Sequence, residues 1–369
     1  MKDDVLFLLR QKPDSFISGA DISRVLEVTR SAVWKTIKAL QEDGYTIEAV
    51  TNRGYRLTAS PDILQADDLQ SLLTTEYLGR SLTLYESVES TNRQALHAAE
   101  NGAVHGAVFA AQEQTAGRGR LGRAWYAPRH TCLMMSLLLR PEIPINNAAQ
   151  VTLAAGLAVQ QAMQQEMQQV MQQTMQQAMY KGTDEEYHLQ RTLHNTALQP
   201  VIKWPNDILL NNKKAAGILT ELTAEVEHIK ALVVGIGVNV HISSFPPELA
   251  DSATSLFLET KRAYSRVEKS QQIETFQLTS LAAAILNCFE PLYDLLIRHK
   301  FVTDILPLYQ DNCVTLGREI KAIYHNKEIC GRAVALNPAG ELIVQLPTGE
   351  TLALNASEVS VRGLMGYGE

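Results

Sequence analysis

Gly117-Arg118-Gly119-Arg120-Leu121-Gly122-Arg123 fits the pattern G-x-G-x-x-G, and the residues after it take away the usual reading. A dinucleotide-binding loop of that form must open a helix whose N-terminus faces the pyrophosphate. Here Ala124-Trp125-Tyr126-Ala127-Pro128 follows, and Pro128 blocks an ordinary helix at that point. An NAD-dependent enzyme is therefore the weakest interpretation. The glycines let backbone approach a ligand closely. The arginines add forked donors that match carboxylates and phosphates. The segment reads as a mobile loop that wraps an anionic ligand, with a flexible basic surface loop as the bland alternative.

Around this loop the chain divides into three unequal parts, at 1–61, 62–313 and 314–369. Its 369 residues exceed one ordinary domain. Hydrophobic residues at 46% and charged residues at 20% exclude a wholly disordered chain. A net charge of −7 excludes a polycation, so any nucleic-acid contact must come from a local basic surface. None of Cys132, Cys288, Cys313 and Cys330 lies in a C-x-x-C, which argues against a zinc site or disulfide framework and for a reduced cytoplasmic home. The first residues do not read as a signal peptide. Apolar runs such as Val151–Val159 fall short of the ~18 residues of a membrane span, so no membrane partner is expected.

In the first part, Val5, Leu6, Leu8 and Leu9 predict one helix, Ile22, Val25 and Leu26 a second, and Val33, Ile37 and Leu40 a third. Thr29 suits the N-cap of the third. Tyr45–Leu57 alternates like a hairpin turning at Asn52-Arg53-Gly54. This is a helix-turn-helix with a wing. Arg30, Ser31, Trp34, Lys35 and Lys38 lie opposite the apolar stripe of the third helix, with Arg53 and Arg56 at the wing. Such a face can enter a DNA major groove; a protein-interaction winged helix, or merely a solvated helix face, is the alternative.

The middle part mixes strands (Gly106–Gln112, Leu133–Leu139, Val201–Lys203, Ala231–Val240) with helices (Gln150–Met163, Gln271–Cys288), as in an α+β or α/β domain. A Met/Gln-rich stretch near 163–199 carries methionines at 163, 167, 171, 175 and 179. A period of four drifts ~40° per step on a helix, so they would spiral, and the stretch reads as a tolerated surface insertion, with a helical partner surface as the alternative. The last part predicts about five short strands beginning at Val314–Leu316, with turns at His325-Asn326, Asn337–Gly340 and Pro347–Gly349. That pattern suggests a small barrel.

A second chemical signal is Lys203-Trp204-Pro205-Asn206-Asp207, followed by Lys214 and Gly217, then Gly235-Ile236-Gly237-Val238-Asn239. Asp207 could hold a metal or a cation, or Asn206-Asp207 could be a plain turn. Gly235 and Gly237 could serve a ligand or simply close packing.

Ser90-Thr91-Asn92, the glycine-arginine loop, the KWPND stretch, Lys214 to Gly217 and GIGVN occur in this order in biotin protein ligases. With the N-terminal winged helix, most of the chain resembles the bifunctional form, a biotin ligase that is also a biotin operon repressor. The resemblance implies an α+β protein: a winged helix-turn-helix, a central mixed α/β catalytic domain of the class II synthetase-like type, and a C-terminal SH3-like β-barrel. It implies that biotin and MgATP give biotinyl-5′-AMP, which then passes to a lysine of biotin carboxyl carrier protein. It also implies a repressor of biotin synthesis genes, in which biotinyl-5′-AMP is corepressor and promotes a homodimer on operator DNA. Ser90, Thr91 and Asn92 would then line the biotin site. Gln114 and the loop Gly117, Arg118, Gly119 and Arg120 would close over biotin and the adenylate, with Gly217 beside them. Arg123 would face the phosphates, Lys203, Trp204, Asn206, Asp207 and Asn239 the nucleotide, and Lys214 the reacting carboxylate and phosphate. Mg²⁺ is expected to arrive with ATP, and no metal is expected to be held by protein alone.

The chemistry suits these residue types. A carboxylate attacking a triphosphate brings two anions together, so positioning and positive charge are the main needs. Cys132 stands where the family leads one to expect glycine, and Met134 where an aromatic is common, which puts the pocket's detailed shape in question. Two rivals share parts of the pattern: a repressor that senses biotinyl-AMP without ligating, and a lipoate–protein ligase relative.

Overall fold

The computed structural model describes residues 1–12, 15–51, 53–180, 198–225, 228–265, 276–324, 327–356 and 359–363. Contacts divide the chain into two compact units, Met1–Ile63 and Leu64–Glu369.

In the first unit, helices α1 (Lys2–Arg10), α2 (Gly19–Val25) and α3 (Arg30–Glu42) precede a hairpin of β1 (Thr46–Val50) and β2 (Gly54–Ala59). Val5, Leu9, Ile22, Val33, Ile37, Leu40 and Ile47 form its own core. Thr29 caps α3, its hydroxyl accepting the Ala32 N–H at 3.2 Å. Gly54 sits at φ +108, and a Cβ there would lie 2.1 Å from the Ile17 carbonyl oxygen. Only glycine allows the hairpin to exchange backbone hydrogen bonds with Ile17 through Tyr55, at 2.9 Å each way. Asn52 of the expected turn and the expected turn His325-Asn326 lie outside the described residues.

The second unit opens with α4 (Ala66–Leu72), β3 (Leu82–Tyr85), α5 (Thr91–Glu100), β4 (Val108–Ala111) and β5 (Cys132–Leu139). There follow α6 (Ala148–Tyr180), β6 (Val201–Lys203), β7 (Asp207–Leu210), β8 (Lys213–Glu225) and β9 (His228–Asn239). The helices α7 (Leu256–Ser265), α8 (Leu278–Ile297) and α9 (Leu306–Asp311) come next. Strands β3 to β9 make one sheet in the order β3-β4-β5-β9-β8-β7-β6, with only β3 and β4 parallel. Period-two alternation splits β5 and β9 between its faces. Leu133, Met135 and Leu137 with Leu232, Val234 and Ile236 pack under α6 and α8. Cys132, Met134 and Ser136, paired with Asn239, Gly237 and Gly235, lie on the other face. Helix α8 is long and apolar enough to cross a membrane by length and composition, but here its apolar side lies in this core.

Two expectations need correction. The Met/Gln stretch is not simply a surface insertion. Met163, Glu166, Met167, Val170 and Thr174 are buried on α6, and Ser280 of α8 donates to Glu166 at 2.8 Å. The methionines do drift as a period of four requires, but Val170 and Thr174 take over the buried seam from Met171, which is only half-buried. The rest of the stretch, 181–197, lies outside the described residues. The segment Val314–Leu316 is not a strand either. Val314 N–H donates to Ile202 O, and Ile202 N–H to Asn312 O, both at 2.8 Å, so this stretch is used up against β6.

The C-terminal strands are β10 (Glu319–Tyr324), β11 (Lys327–Leu336), β12 (Leu342–Gln345), β13 (Thr351–Leu354) and β14 (Val359–Gly363). They form an antiparallel sheet in the order β13-β12-β11-β10-β14. Ile320, Ala322, Leu342 and Leu354 belong to the same core as α6 and α8.

Candidate active site

The face of the sheet away from α6 carries a cleft of about 370 Å³, and nearly every site residue expected in this unit lines it. The exception is Gly117, whose carbonyl closes the base of the loop by accepting the Trp125 N–H at 3.0 Å.

One wall is a hydrogen-bonded polar cluster at the start of α5. Ser136 is the one polar residue in the apolar run of β5 and is fully buried. It lies 2.7 Å from Thr91 Oγ1 and 2.6 Å from Asn92 Oδ1. Gln114 Oε1 accepts the Thr91 N–H at 2.7 Å, satisfying one of the donors that a helix start leaves open. Asn92 Nδ2 donates to Leu219 O at 3.1 Å and to Glu221 at 2.7 Å. Buried polar groups are costly unless paired, and these satisfy one another. A Cβ on Gly235 would lie 2.1 Å from Asn92 Oδ1, and one on Gly237 would lie 2.9 Å from the Trp125 ring. The paired glycines of β9 therefore make room for two site side chains.

The opposite side is the loop. Gly119 N–H donates to Arg123 O at 2.7 Å, and Leu121 takes φ 56 at the tip. Arg118 and Arg123 are exposed. Arg120 turns inward, donating to Asn206 Oδ1 at 3.1 Å and to the Ala356 carbonyl. Burial holds its guanidinium below the ordinary range; the Asp207 charge works against this, and Arg123 reinforces it.

Between the two sides, Lys214 Nζ sits 2.6 Å from Asp207 Oδ1 and 5.4 Å from the Trp125 ring centroid. Asp207 thus holds a cation, and that cation is Lys214. Asn206 Nδ2 donates to Ile218 O at 2.7 Å, pinning the segment to β8. Arg118, Arg120, Arg123, Lys203 and Lys214 face a single lining carboxylate, Asp207, among the described residues. The arrangement can gather anions and stabilise charge that builds between them.

Two residues expected at the nucleotide border the cleft and also serve the fold. Trp204 is 1% exposed, and its indole N–H donates to Gly340 O at 3.0 Å. The Asn239 amide donates to Thr254 O at 2.9 Å, bracing the backbone beside Lys214. Cys132 and Met134 pack with Ile242 under the cleft; burial pushes the Cys132 thiol up to about 12, which makes it inert. Sequence reasoning missed Ser136, Glu221 and Trp125. A lone serine in an apolar strand was the available signal for the first.

On the first unit, Arg30, Ser31, Trp34, Lys35 and Lys38 are all exposed on α3. Arg53 and Arg56 both stack on Phe16, at 4.4 and 4.8 Å, and Arg56 pairs with Glu48 at 2.6 Å.

Residues 84–239 match the Biotin/lipoate A/B protein ligase family. Residues 2–56 match an HTH domain, and 315–362 the biotin protein ligase C-terminal domain. The bifunctional ligase/repressor BirA of Bacillus subtilis is 34% identical over 95% of this chain and 95% of its own length. The protein of that name from Escherichia coli is 25% identical over 89% and 88%. Among solved structures, the biotin protein ligase from Aquifex aeolicus in complex with biotin and ATP shares the fold, with a TM-score of 0.57 and 24% identity over 77% of this chain and 99% of that one. Likeness to the Bacillus protein over almost the whole length of both, helix-turn-helix included, places this chain in the bifunctional ligase/repressor family of biotin protein ligases.

Proposed function

We propose that the chain joins biotin to a carrier protein in two steps and uses the intermediate to control its own binding to DNA. The observation that carries the first half is the cleft itself: five cations against one carboxylate, set over a polar wall whose members are already hydrogen-bonded. A biotin carboxylate oxygen attacks the α-phosphorus of ATP. The bond from that phosphorus to the bridging oxygen breaks, and pyrophosphate leaves. A carrier lysine amine then attacks the acyl carbon, loses a proton, and AMP departs.

Ser90, Thr91, Asn92 and Gln114 orient biotin. Arg118 and Arg120 close over biotin and the adenylate, while Arg123 and Lys203 face phosphates. Lys214 supplies charge where the carboxylate meets phosphorus, exchanging its Asp207 contact for the reacting anion. Among the described residues no cluster of His, Cys, Asp or Glu could hold a metal. Mg²⁺ would accompany the triphosphate and neutralise part of its charge. No nucleophilic serine or cysteine is needed, because the intermediate is an adenylate.

Residues 1–61 serve as the DNA-binding domain, 62–313 as the catalytic domain and 314–369 as an SH3-like domain. The protein works in the cytoplasm. Operator DNA is read by two copies of α3 in a dimer that biotinyl-5′-AMP promotes, since two half-sites give more affinity and specificity than one.

Incubation with ATP, a carrier domain and labelled biotin or lipoate tests the first half. Labelled carrier is expected with biotin only. Labelling by lipoate, or adenylate formation with no transfer, would overturn it. For the second half, operator binding is compared in apo, adenylate-loaded and carrier-treated protein at fixed salt, because phosphate contacts are salt-sensitive. Equal binding in all three states would sink the switch. Trp34→Ala and Arg30→Ala should weaken operator binding and leave ligation unchanged.

A further inference from the structure

Outside the cleft, one carboxylate has every mark of a built contact and no part in the steps above. Glu259 of α7 is 0% exposed. Its Oε1 accepts the Thr254 hydroxyl at 2.5 Å and also takes Arg262. Its Oε2 accepts the Asn211 side-chain amide. Asn211 and its neighbour Asn212 form the β7–β8 turn in left-handed conformations, φ 48 and 62, two residues before Lys214. Asn212 itself lines the cleft.

Thr254 is equally buried and is tied to the same lysine from the other side. Its N–H donates to the Lys214 carbonyl at 2.9 Å, and the Lys214 N–H donates to Ser252 O at 2.8 Å. Its own carbonyl accepts Asn239 Nδ2 at 2.9 Å. The two oxygens of Glu259 therefore hold both segments that flank the Lys214 backbone: the turn that leads into it and the strip 252–254 that pairs with it.

We infer that Glu259 is a positioning residue for adenylation, fixing the Lys214 backbone so that its ammonium meets the reacting carboxylate and phosphorus. A side chain on a flexible four-carbon stem is aimed only as well as its Cα is held, and small misplacements of a reacting group are costly. A single carboxylate suits the task because all its contacts are donors: an amide, a hydroxyl and a guanidinium. Glutamine in its place would turn an N–H toward one of those donors.

The inference rests on the role given to Lys214 above, and a double-mutant cycle separates the two. Adenylation is followed by pyrophosphate release in wild type, Glu259→Gln, Lys214→Ala and the double variant, with thermal melting recorded for each. Glu259→Gln should lower the adenylation rate about ten-fold with little change in biotin KM, since the wall at Thr91 and Asn92 is untouched. In the Lys214→Ala background the same change should cost nothing further. Thr254→Val, nearly isosteric, should show the same pattern if Glu259→Gln melts too early to assay. Equal losses in both backgrounds, or normal adenylation by folded Glu259→Gln, would overturn the inference while leaving Lys214 in place. Normal adenylation by Lys214→Ala would remove both.

Discussion

The two sides of the cleft are built on opposite terms. Thr91, Asn92 and Ser136 are buried, Gln114 is half-buried, and their polar atoms are already hydrogen-bonded to each other. Across from them, Arg118 and Arg123 are exposed on a glycine-rich loop, with only Arg120 turned in. The wall acquires its order when the protein folds, so a ligand meets prepared partners and loses little freedom in binding there. On the role proposed above, the loop would leave part of its ordering to the ligand and so be the place where occupancy is sensed.

Lys214, where the two sides meet, gives the widest margin for breaking this picture. Lys214→Ala should slow adenylation by on the order of 10²-fold or more, the loss seen when one preorganised donor is removed. A pyrophosphate-release assay at saturating biotin and ATP measures it, and an unchanged rate would reassign the residue. On the wall, Gly235→Ala sets a methyl group against Asn92 Oδ1 and forces that amide out of its place. Leaving a buried polar group unpaired costs about 1–3 kcal/mol, so biotin should bind roughly 10- to 100-fold more weakly by titration calorimetry. Unaltered affinity would show that the wall is not the biotin site.

The loop should respond differently. Arg120→Gly removes charged donors that are half-buried, so solvent screening reduces the loss, and adenylate should escape roughly ten-fold faster. Biotin labelling of unrelated lysines, read by blotting, should rise while initial biotin binding stays near normal. Retained adenylate with carrier-only labelling would contradict the assignment. Away from both sides, Met167→Ala tests the buried seam of α6. It should lower stability by about 2–5 kcal/mol in a denaturant melt, as large-to-small core changes do, with little effect on the rate of folded enzyme. A melt like that of wild type would restore the reading of this stretch as dispensable.

Much of this was legible in the chain because it is local. The Thr29 cap, the apolar run Leu133–Leu139 and the glycine-arginine loop each depend on residues close in sequence. What escaped depends on sheet order. Ser136 meets Asn92 only because β5 and β9 are neighbours and α5 lies across them. Trp125 looked like part of the stretch that merely blocks a helix, yet its ring fills the space left by Gly237. Trp204 shows the converse. Its indole N–H meets Gly340, 136 positions away, and no local pattern could announce that pairing. The Met/Gln stretch misled for a related reason: repetitive composition suggests a dispensable segment, and only a facing helix such as α8 can make one side of it core.

The continuity of the second unit's core bears on how such a protein can be taken apart and recombined. The first unit has its own hydrophobic centre, so it can be exchanged as a cassette, and an operator-binding module could be gained or lost in one recombination event. The C-terminal sheet has no such independence. It shares its interior with α6 and α8, supplies the acceptor for the Trp204 indole and offers the Ala356 carbonyl to Arg120. A chimera spliced between α9 and β10 would inherit a foreign partner for each of these contacts at once. The two ends of the chain therefore differ in evolvability: one is free to be shuffled, and the other is bound to diverge in step with the cleft it helps to hold.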